Sequence, residues 1–289
     1  YFQIPGLQTG DDTGVNRSGR RCFLCRYIIS NLVTMMFLSL TSPVIFAHRG
    51  ASSHAPENTL AAFRLAIDHG AKAIELDVQL SKDREVVVFH DTNLDRTTDG
   101  TGRIKDYTLS ELSDLNAGIS FYPAYQNEKI PTLAQVLDFL PLDILINIEL
   151  KNAQTPCDSL PSKTAALIRD FKAENRVLIS SFSSFSIAKF SKELPAVPCG
   201  RLLYSQLATN FFGSFPGLLA NIQSVHISLK SLRPQVIDSY KNAGKAVFSY
   251  TLNHTQDILK AMSMGIDGFF TDDPGFARRL LIQEGLLNN

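Results

Sequence analysis

The chain contains no tryptophan, few cysteines and no excess charge of either sign: 28 Lys and Arg balance 28 Asp and Glu across 289 residues. Charge neutrality without a dense basic patch argues against a nucleic-acid partner. Cys22, Cys25, Cys157 and Cys199 are too few to form a disulfide framework for a chain this long. Cys22 and Cys25 form a CxxC, but no second pair sits at zinc-site spacing and no βαβ pattern surrounds it. A reducing compartment is therefore favoured. Long apolar runs are also missing, apart from the stretch Tyr27–Leu40. It follows Arg20, Arg21 and Arg26, which is the outline of a signal peptide or short membrane anchor. Ser30, Asn31 and Thr34 interrupt it, and an extra helix at the bottom of the fold, or a non-native leader, explains it as well. Tyr1-Phe2-Gln3 resembles the remainder of a cleaved tag. Residues 1–42 are therefore set apart, and contact with a membrane is expected only through 27–40. The expected location is the cytoplasm, with export or anchoring as the alternative if 20–42 is a genuine signal or anchor.

What is present is a pattern. From Pro43 onward, short β-rich runs alternate with helical stretches, which predicts a largely parallel sheet. The candidate strands are Val44–Ala47, Ala73–Gln79, Val86–Phe89, Ile144–Leu150, Val177–Ser180, Arg201–Tyr204, Ser224–Ile227, Ala246–Tyr250 and Gly268–Thr271. Helical stretches are Thr59–His69, Thr132–Leu140, Ser162–Lys172, Pro234–Asn242 and Thr255–Met264, with Gly70 and Gly265 as C-terminal stops. Nine strands are one too many for a (β/α)8 barrel. The gap between Gln79 and Val86 is too short for a parallel crossover, so these two runs are expected to form an antiparallel hairpin turning around Ser81–Arg84. That hairpin puts His90 beside Asp77. The fold predicted is an α/β TIM barrel over 43–289, with residues 91–130 inserted after the second strand and its hairpin as a subdomain or lid. One short helix is expected there, at Leu109–Leu115.

Four fragments place polar groups at strand ends, where an α/β barrel keeps its active site: His48-Arg49-Gly50, Glu75-Leu76-Asp77, His90-Asp91 and Glu149-Leu150-Lys151. Residues two apart in a strand share a face, so Glu75 with Asp77, and Asn147 with Glu149 and Lys151, point together. Clustered carboxylates repel unless a cation or a proton holds them. Glu75, Asp77 and Glu149 offer oxygen donors alone, which suits one hard divalent cation, Mg²⁺ or Ca²⁺. Salt bridges from Arg49 and Lys151 to the carboxylates are the structural alternative. Beside a metal, the same two cations suit phosphate oxygens. His48 and His90 titrate near neutrality and can divide acid and base duties. Metal, anion-binding bases and two histidines together favour phosphoryl transfer over glycoside hydrolysis, which would leave the histidines idle.

Weaker candidates surround these. His54 and His226 are possible substrate contacts, and Phe182 and Tyr250 can wall a small organic group; for His226, Phe182 and Tyr250 core packing is the alternative. Glu57 can hold Arg49 or a ring nitrogen of His48, and Asn58 or Thr59 can cap the following helix.

These fragments, with Ala55-Pro56-Glu57-Asn58-Thr59, Leu94-Asp95-Arg96-Thr97-Thr98, Ser180-Ser181-Phe182, Tyr250-Thr251-Leu252-Asn253 and Gly265-Ile266-Asp267-Gly268, resemble in order and spacing the glycerophosphodiester phosphodiesterases. The resemblance runs from about Pro43 to Pro274 and is nearest to the cytoplasmic bacterial form. It implies one divalent cation on Glu75, Asp77 and Glu149, acid–base catalysis by His48 and His90, and phosphate contacts from Arg49 and Lys151. The implied substrate is a glycerophosphodiester, cleaved to sn-glycerol 3-phosphate and an alcohol, through a cyclic phosphate or by direct attack of water. Two departures stand out: tyrosine at 250, where many relatives carry tryptophan, and Arg84, where relatives often place glycine. A lysophospholipid or sphingomyelin phosphodiesterase on the same barrel is the nearest rival function. A non-enzymatic binding or scaffold protein with a relic site is the rival from another class.

Overall fold

Period-two alternation along each strand separates the inside of the molecule from the outside. The structure is a computed structural model that describes residues 43–121, 123–214 and 222–288; expectations for Tyr1-Phe2-Gln3, Cys22, Cys25 and Tyr27–Leu40 lie outside them. The strands are β1 (Val44–His48), β2 (Ala73–Leu80), β3 (Val86–Val88), β4 (Leu145–Leu150), β5 (Val177–Ser181), β6 (Cys199–Leu203), β7 (Ser224–Ser228), β8 (Ala246–Tyr250) and β9 (Gly268–Thr271). They run in the order β1-β9-β8-β7-β6-β5-β4-β2, and β1 pairs with β2 to close the ring. All eight are parallel, while β3 lies antiparallel on the upper end of β2. The predicted (β/α)8 barrel with a hairpin extension is the fold observed.

Helices α1 (Leu60–Asp68), α2 (Leu109–Asp114), α3 (Leu133–Phe139), α4 (Leu160–Asp170), α5 (Ser184–Glu193), α6 (Gln206–Ser214), α7 (Pro234–Asn242), α8 (Thr255–Ser263) and α9 (Pro274–Gln283) follow. Apart from α2, which lies in the insertion, they run between and after the barrel strands. α5, α6 and α9 are additions to the expected list. The runs behind α5 and α6 are rich in Ser, Asn and Phe, so helix propensity is modest; Ile187 and Phe190 of α5, Phe212 of α6 and Ala277 of α9 pack them against the main core.

The main apolar core lies between the sheet and the helices, around Ile74, Leu76, Ile146, Ile148, Phe190 and Leu281. A second cluster fills the barrel itself, where Phe46 stacks on Phe270 at 4.6 Å and meets Phe248 edge-on at 5.1 Å. Reading up the inward-facing positions of β2 gives Ala73, Glu75 and Asp77, and of β4 gives Leu145, Asn147 and Glu149. The barrel is thus apolar at its base and charged at its C-terminal mouth.

The hairpin differs from expectation by one residue. Val78 pairs with Val88, and the Phe89 amide donates to the Asp77 carbonyl at 2.9 Å, so Phe89 stands opposite Asp77 and His90 follows it. The reason is the turn. Ser81 donates through its amide to Glu85 O, closing a three-residue loop in which Arg84 takes a left-handed φ of 64°. Such a loop moves the register by one position relative to a two-residue turn. The described residues of 91–130 form short turns and α2 over a cluster of Phe89, Leu94, Ile104, Leu112 and Ile130. α2 carries a capping box between Thr108 and Glu111.

Candidate active site

The site begins with a sharp turn after β1. Arg49 takes φ 57° and Gly50 φ 87°. A Cβ on Gly50 would lie 2.6 Å from the Ala62 backbone, so glycine is needed where the turn crosses α1. The turn aims the Arg49 amide at Glu75 Oε2 at 3.0 Å, and sends its side chain to Glu57 Oε1 at 2.9 Å and Asp77 Oδ2 at 3.4 Å. Asn58, also left-handed at φ 58°, donates to Asp77 Oδ2 at 3.0 Å. The helix cap is Thr59, which accepts from the Ala62 amide. Asn58 is therefore free to serve the carboxylate.

Glu75, Asp77 and Glu149 are buried, with one oxygen from each lying within 4.8 Å of the others. At that separation each carboxylate pair repels by about 3–4 kcal/mol for an effective dielectric near ~20. Burial, then repulsion by Asp77, pushes Glu149 up to about 7. Burial, with repulsion by Asp77 and Glu149, raises Glu75 well above the usual carboxylate range. Asp77 goes the other way: burial would raise it, but Arg49 and Lys151 outweigh burial and hold it ionised. Its Oδ1 is buried without a hydrogen-bond donor. An all-oxygen triad with two carboxyls pushed toward the neutral form and one orphaned oxygen fits a hard divalent cation. This buried triad can hold a metal ion. Lys151 extends over it, 3.1 Å from Glu149 Oε1 and 3.6 Å from Asp77 Oδ1. In the chain alone the two cations make the ion pairs of the structural alternative as well as lining the mouth.

Both histidines are held through Nδ1. His48 meets Asp272 Oδ1 at 2.6 Å, and Asp272 also accepts from Ser52 Oγ and Asn253 Nδ2. His90 meets Asp91 Oδ1 at 2.6 Å; Arg96 donates to Asp91 Oδ2 at 2.5 Å and, through its other nitrogens, to both oxygens of Glu57. Gln79 Nε2 reaches the carbonyls of Phe89, His90 and Asp91 and pins the end of the hairpin. A carboxylate on Nδ1 fixes that nitrogen as the donor and leaves Nε2 for chemistry.

Asp272, Asn253, Gln79, Arg96 and the role of Asp91 were not anticipated from the sequence. Asp272 directly follows β9, so the barrel's strand-end rule was the available signal. Arg96 sits inside the insertion, where the Leu94-Asp95-Arg96-Thr97-Thr98 fragment was the available signal.

The weaker candidates separate. Phe182 and Tyr250 meet edge-to-face at 6.5 Å, with the Tyr250 hydroxyl donating to Leu203 O. Asn147 donates to Ser180 Oγ under the triad. His54 is exposed, bonds Asp273 at 2.8 Å and meets the His69 ring edge-on at 5.8 Å. His226, offered as a substrate contact with core packing as the alternative, is fully buried between Phe248 and Phe270. Burial lowers it to about 3, so it is a neutral core ring. Gly200 on the next strand makes its room, since a Cβ there would lie 2.5 Å from His226 Nε2.

A cleft of about 480 Å³ leaves the site past His90, Glu149, Lys151 and Phe182. A larger cavity of about 1100 Å³ lies outside the barrel, between α1 and the insertion, and includes none of the site residues.

The model of the glycerophosphoryl diester phosphodiesterase family matches residues 48–276, a span that starts at His48 and takes in every residue of the site. The chain belongs to this family. It is 38% identical to a glycerophosphodiester phosphodiesterase of Caldanaerobacter subterraneus over 232 residues, covering 80% of this chain and 94% of that one. It is also 38% identical to a putative glycerophosphodiester phosphodiesterase of Bacillus subtilis over 248 residues, 85% and 99% of the two chains. An Oleispira antarctica phosphodiesterase, solved in complex with the product sn-glycerol-3-phosphate, superposes with a TM-score of 0.72 at 32% identity, covering 83% and 97%. The family's enzymes are glycerophosphodiester phosphodiesterases, and this chain is an enzyme of that class.

Proposed function

We propose that the chain hydrolyses glycerophosphodiesters to sn-glycerol 3-phosphate and an alcohol in a reaction that depends on a divalent cation. The observation that carries this is two histidines, each with Nδ1 tied to a carboxylate at 2.6 Å, beside a buried three-carboxylate cluster roofed by Arg49 and Lys151. When bound, Mg²⁺ or Ca²⁺ on Glu75, Asp77 and Glu149 would neutralise the cluster and polarise a phosphoryl oxygen.

The residues supply the rest. Arg49 and Lys151 remain cationic: burial opposes this, but Asp77 and the neighbouring glutamates outweigh it. They are suited to hold the non-bridging phosphate oxygens. Phe182 and Tyr250 offer an aromatic wall for the glycerol carbons. His48, its Nε2 lone pair free, takes the proton of the glycerol 2-hydroxyl. That oxygen bonds to phosphorus as the bond to the alcohol oxygen breaks. His90 Nε2 gives its proton to the departing alcohol, an assignment supported by its place on the wall of the exit cleft. Burial lowers the His90 pKa, and the incoming phosphodiester anion restores the imidazolium. Water then opens the cyclic phosphate with the two histidines in reversed roles. Insertion 91–130 acts as a cover that carries Arg96 to the site. A cytoplasmic location belongs to the same reading and is supported by free Cys157 and Cys199; among the described residues no helix is long and apolar enough to cross a membrane.

The test is release of glycerol 3-phosphate from glycerophosphocholine, with and without EDTA. Release that stops on chelation and returns with Mg²⁺ or Ca²⁺ supports the reading. Release unchanged by thorough chelation overturns the cation's role.

A further inference from the structure

The cleft that leaves the site past His90 is not electrically neutral. Its outer wall is built from the β2–β3 turn and the insertion, which contribute Lys82, Arg84, Arg103 and Lys105. Lys151 continues the same sign inward to the triad. Against these stand two acidic side chains in the lining, Glu149 and Asp158. Glu149 belongs to the cation site. Asp158 is committed to Asn152, Thr155 and the Leu160 amide, at the start of α4.

Two of the rim cations face carboxylates: Arg103 pairs with Asp106, and Lys82 interacts with Glu111 from beyond ion-pair distance. Among the described residues no carboxylate lies within ion-pair distance of Arg84 or Lys105. The nearby Asp83 side chain is occupied by Ser81 Oγ and the Leu109 amide, and Glu85 is directed to Lys163. Arg84 stands in a left-handed conformation, φ 64°, that favours glycine. A long cationic side chain therefore occupies the one turn position where having none would be easier for the backbone.

We infer that this cleft is the subsite for the alcohol half of the substrate, and that it selects glycerophosphodiesters whose alcohol carries a further anionic group, such as a phosphate monoester. This deepens the proposed function and rests on it. A cleft whose rim carries an excess of one sign of charge concentrates ligands of the opposite sign and repels a cationic head group. The rim residues are exposed, so the preference is screened by salt.

The experiment uses the full chain with its divalent cation and three substrates that differ in the charge of the alcohol: glycerophosphocholine, glycerophosphoinositol and glycerophosphoinositol 4-phosphate. Glycerol 3-phosphate release gives kcat/KM for each. The phosphorylated inositol ester is expected to exceed the choline ester at least tenfold at low salt, with the ratio shrinking at high salt. The double variant Arg84→Glu, Lys105→Glu should lower that ratio at least tenfold. Arg84→Gly should lower it too while leaving the melting temperature equal or higher, which separates loss of charge from loss of fold. A wild-type ratio near or below one, or a ratio indifferent to these substitutions, overturns the subsite. Release from none of the three substrates overturns the proposed function, and this inference with it.

Discussion

Arg96 and Glu57, 39 positions apart, meet in a two-pronged ion pair, Nη1 to Oε2 at 2.6 Å and Nη2 to Oε1 at 2.7 Å. Glu57 also receives Arg49, and Arg96 also holds Asp91, the partner of His90. A single chain of charged hydrogen bonds thus runs from Arg49 through Glu57, Arg96 and Asp91 to His90. Removing Arg96 frees both ends.

Arg96→Ala is therefore expected to lower kcat by about 10- to 100-fold, the usual size for an outer partner that orients a working side chain. KM should change less, because Arg49 keeps Asp77. Lysine cannot reproduce the fork, so Arg96→Lys should recover only part of the loss. Steady-state kinetics on glycerophosphocholine decide it; an unchanged kcat in Arg96→Ala would remove Arg96 from the positioning role.

Asp272 does the same for His48 from the opposite end of the chain. Burial would raise its pKa, but hydrogen bonds from His48, Asn253 and Ser52 outweigh burial and hold it at about 2. Asp272→Asn can present an amide N–H to Nδ1 and so stabilise the wrong tautomer, moving the proton to Nε2. A loss in kcat on the order of 10²–10⁴ is expected by analogy with other His–Asp pairs. Cation affinity, followed by calorimetry, should stay the same.

The carboxylate cluster makes stability depend on pH and cation together. Glu149, at about 7, has a folded pKa above its ordinary value of 4.5, with burial and Asp77 as the causes. Between those two pH values the folded chain holds a proton that the unfolded chain has lost, so stability falls as pH rises. Without cation, the melting temperature is expected to drop from pH 5.5 to pH 7.5. Saturating Mg²⁺ or Ca²⁺ should raise it more at pH 7.5 than at pH 5.5, since binding must displace protons at the lower pH. Equal cation-induced shifts at the two pH values would contradict the arrangement.

Gly200→Ala tests the buried position of His226. The added methyl would lie 2.5 Å from His226 Nε2 and 2.6 Å from Ser224 Oγ. Overpacking of this kind costs about 1–3 kcal/mol, measurable by denaturant unfolding. A stability equal to that of the unmodified chain would mean that His226 has room to turn.

The barrel, its hairpin and the triad were legible because each depends on local period or local spacing. A strand alternates every two residues, so Glu75 with Asp77, and Asn147 with Glu149, had to share a face whichever fold enclosed them. The short gap after Gln79 likewise excluded a crossover. The hairpin register was not legible, because it turned on Arg84 adopting a left-handed φ, a choice that a non-glycine side chain does not advertise. His226 shows the same limit in the barrel. Its strand position was read correctly, but its height above the base depended on the stagger of neighbouring strands and on the gap at Gly200.

By itself, then, the amino-acid order determined which residues carry charge at strand ends, and with them the class of chemistry. Tertiary structure decided which partner each acquired. Asp272 reaches His48 across 224 positions and Arg96 reaches Glu57 across 39. Such pairings follow from β9 lying beside β1 in the closed ring and from the path of the insertion. A side chain of one polarity can satisfy many partners, and only the closed barrel selects among them.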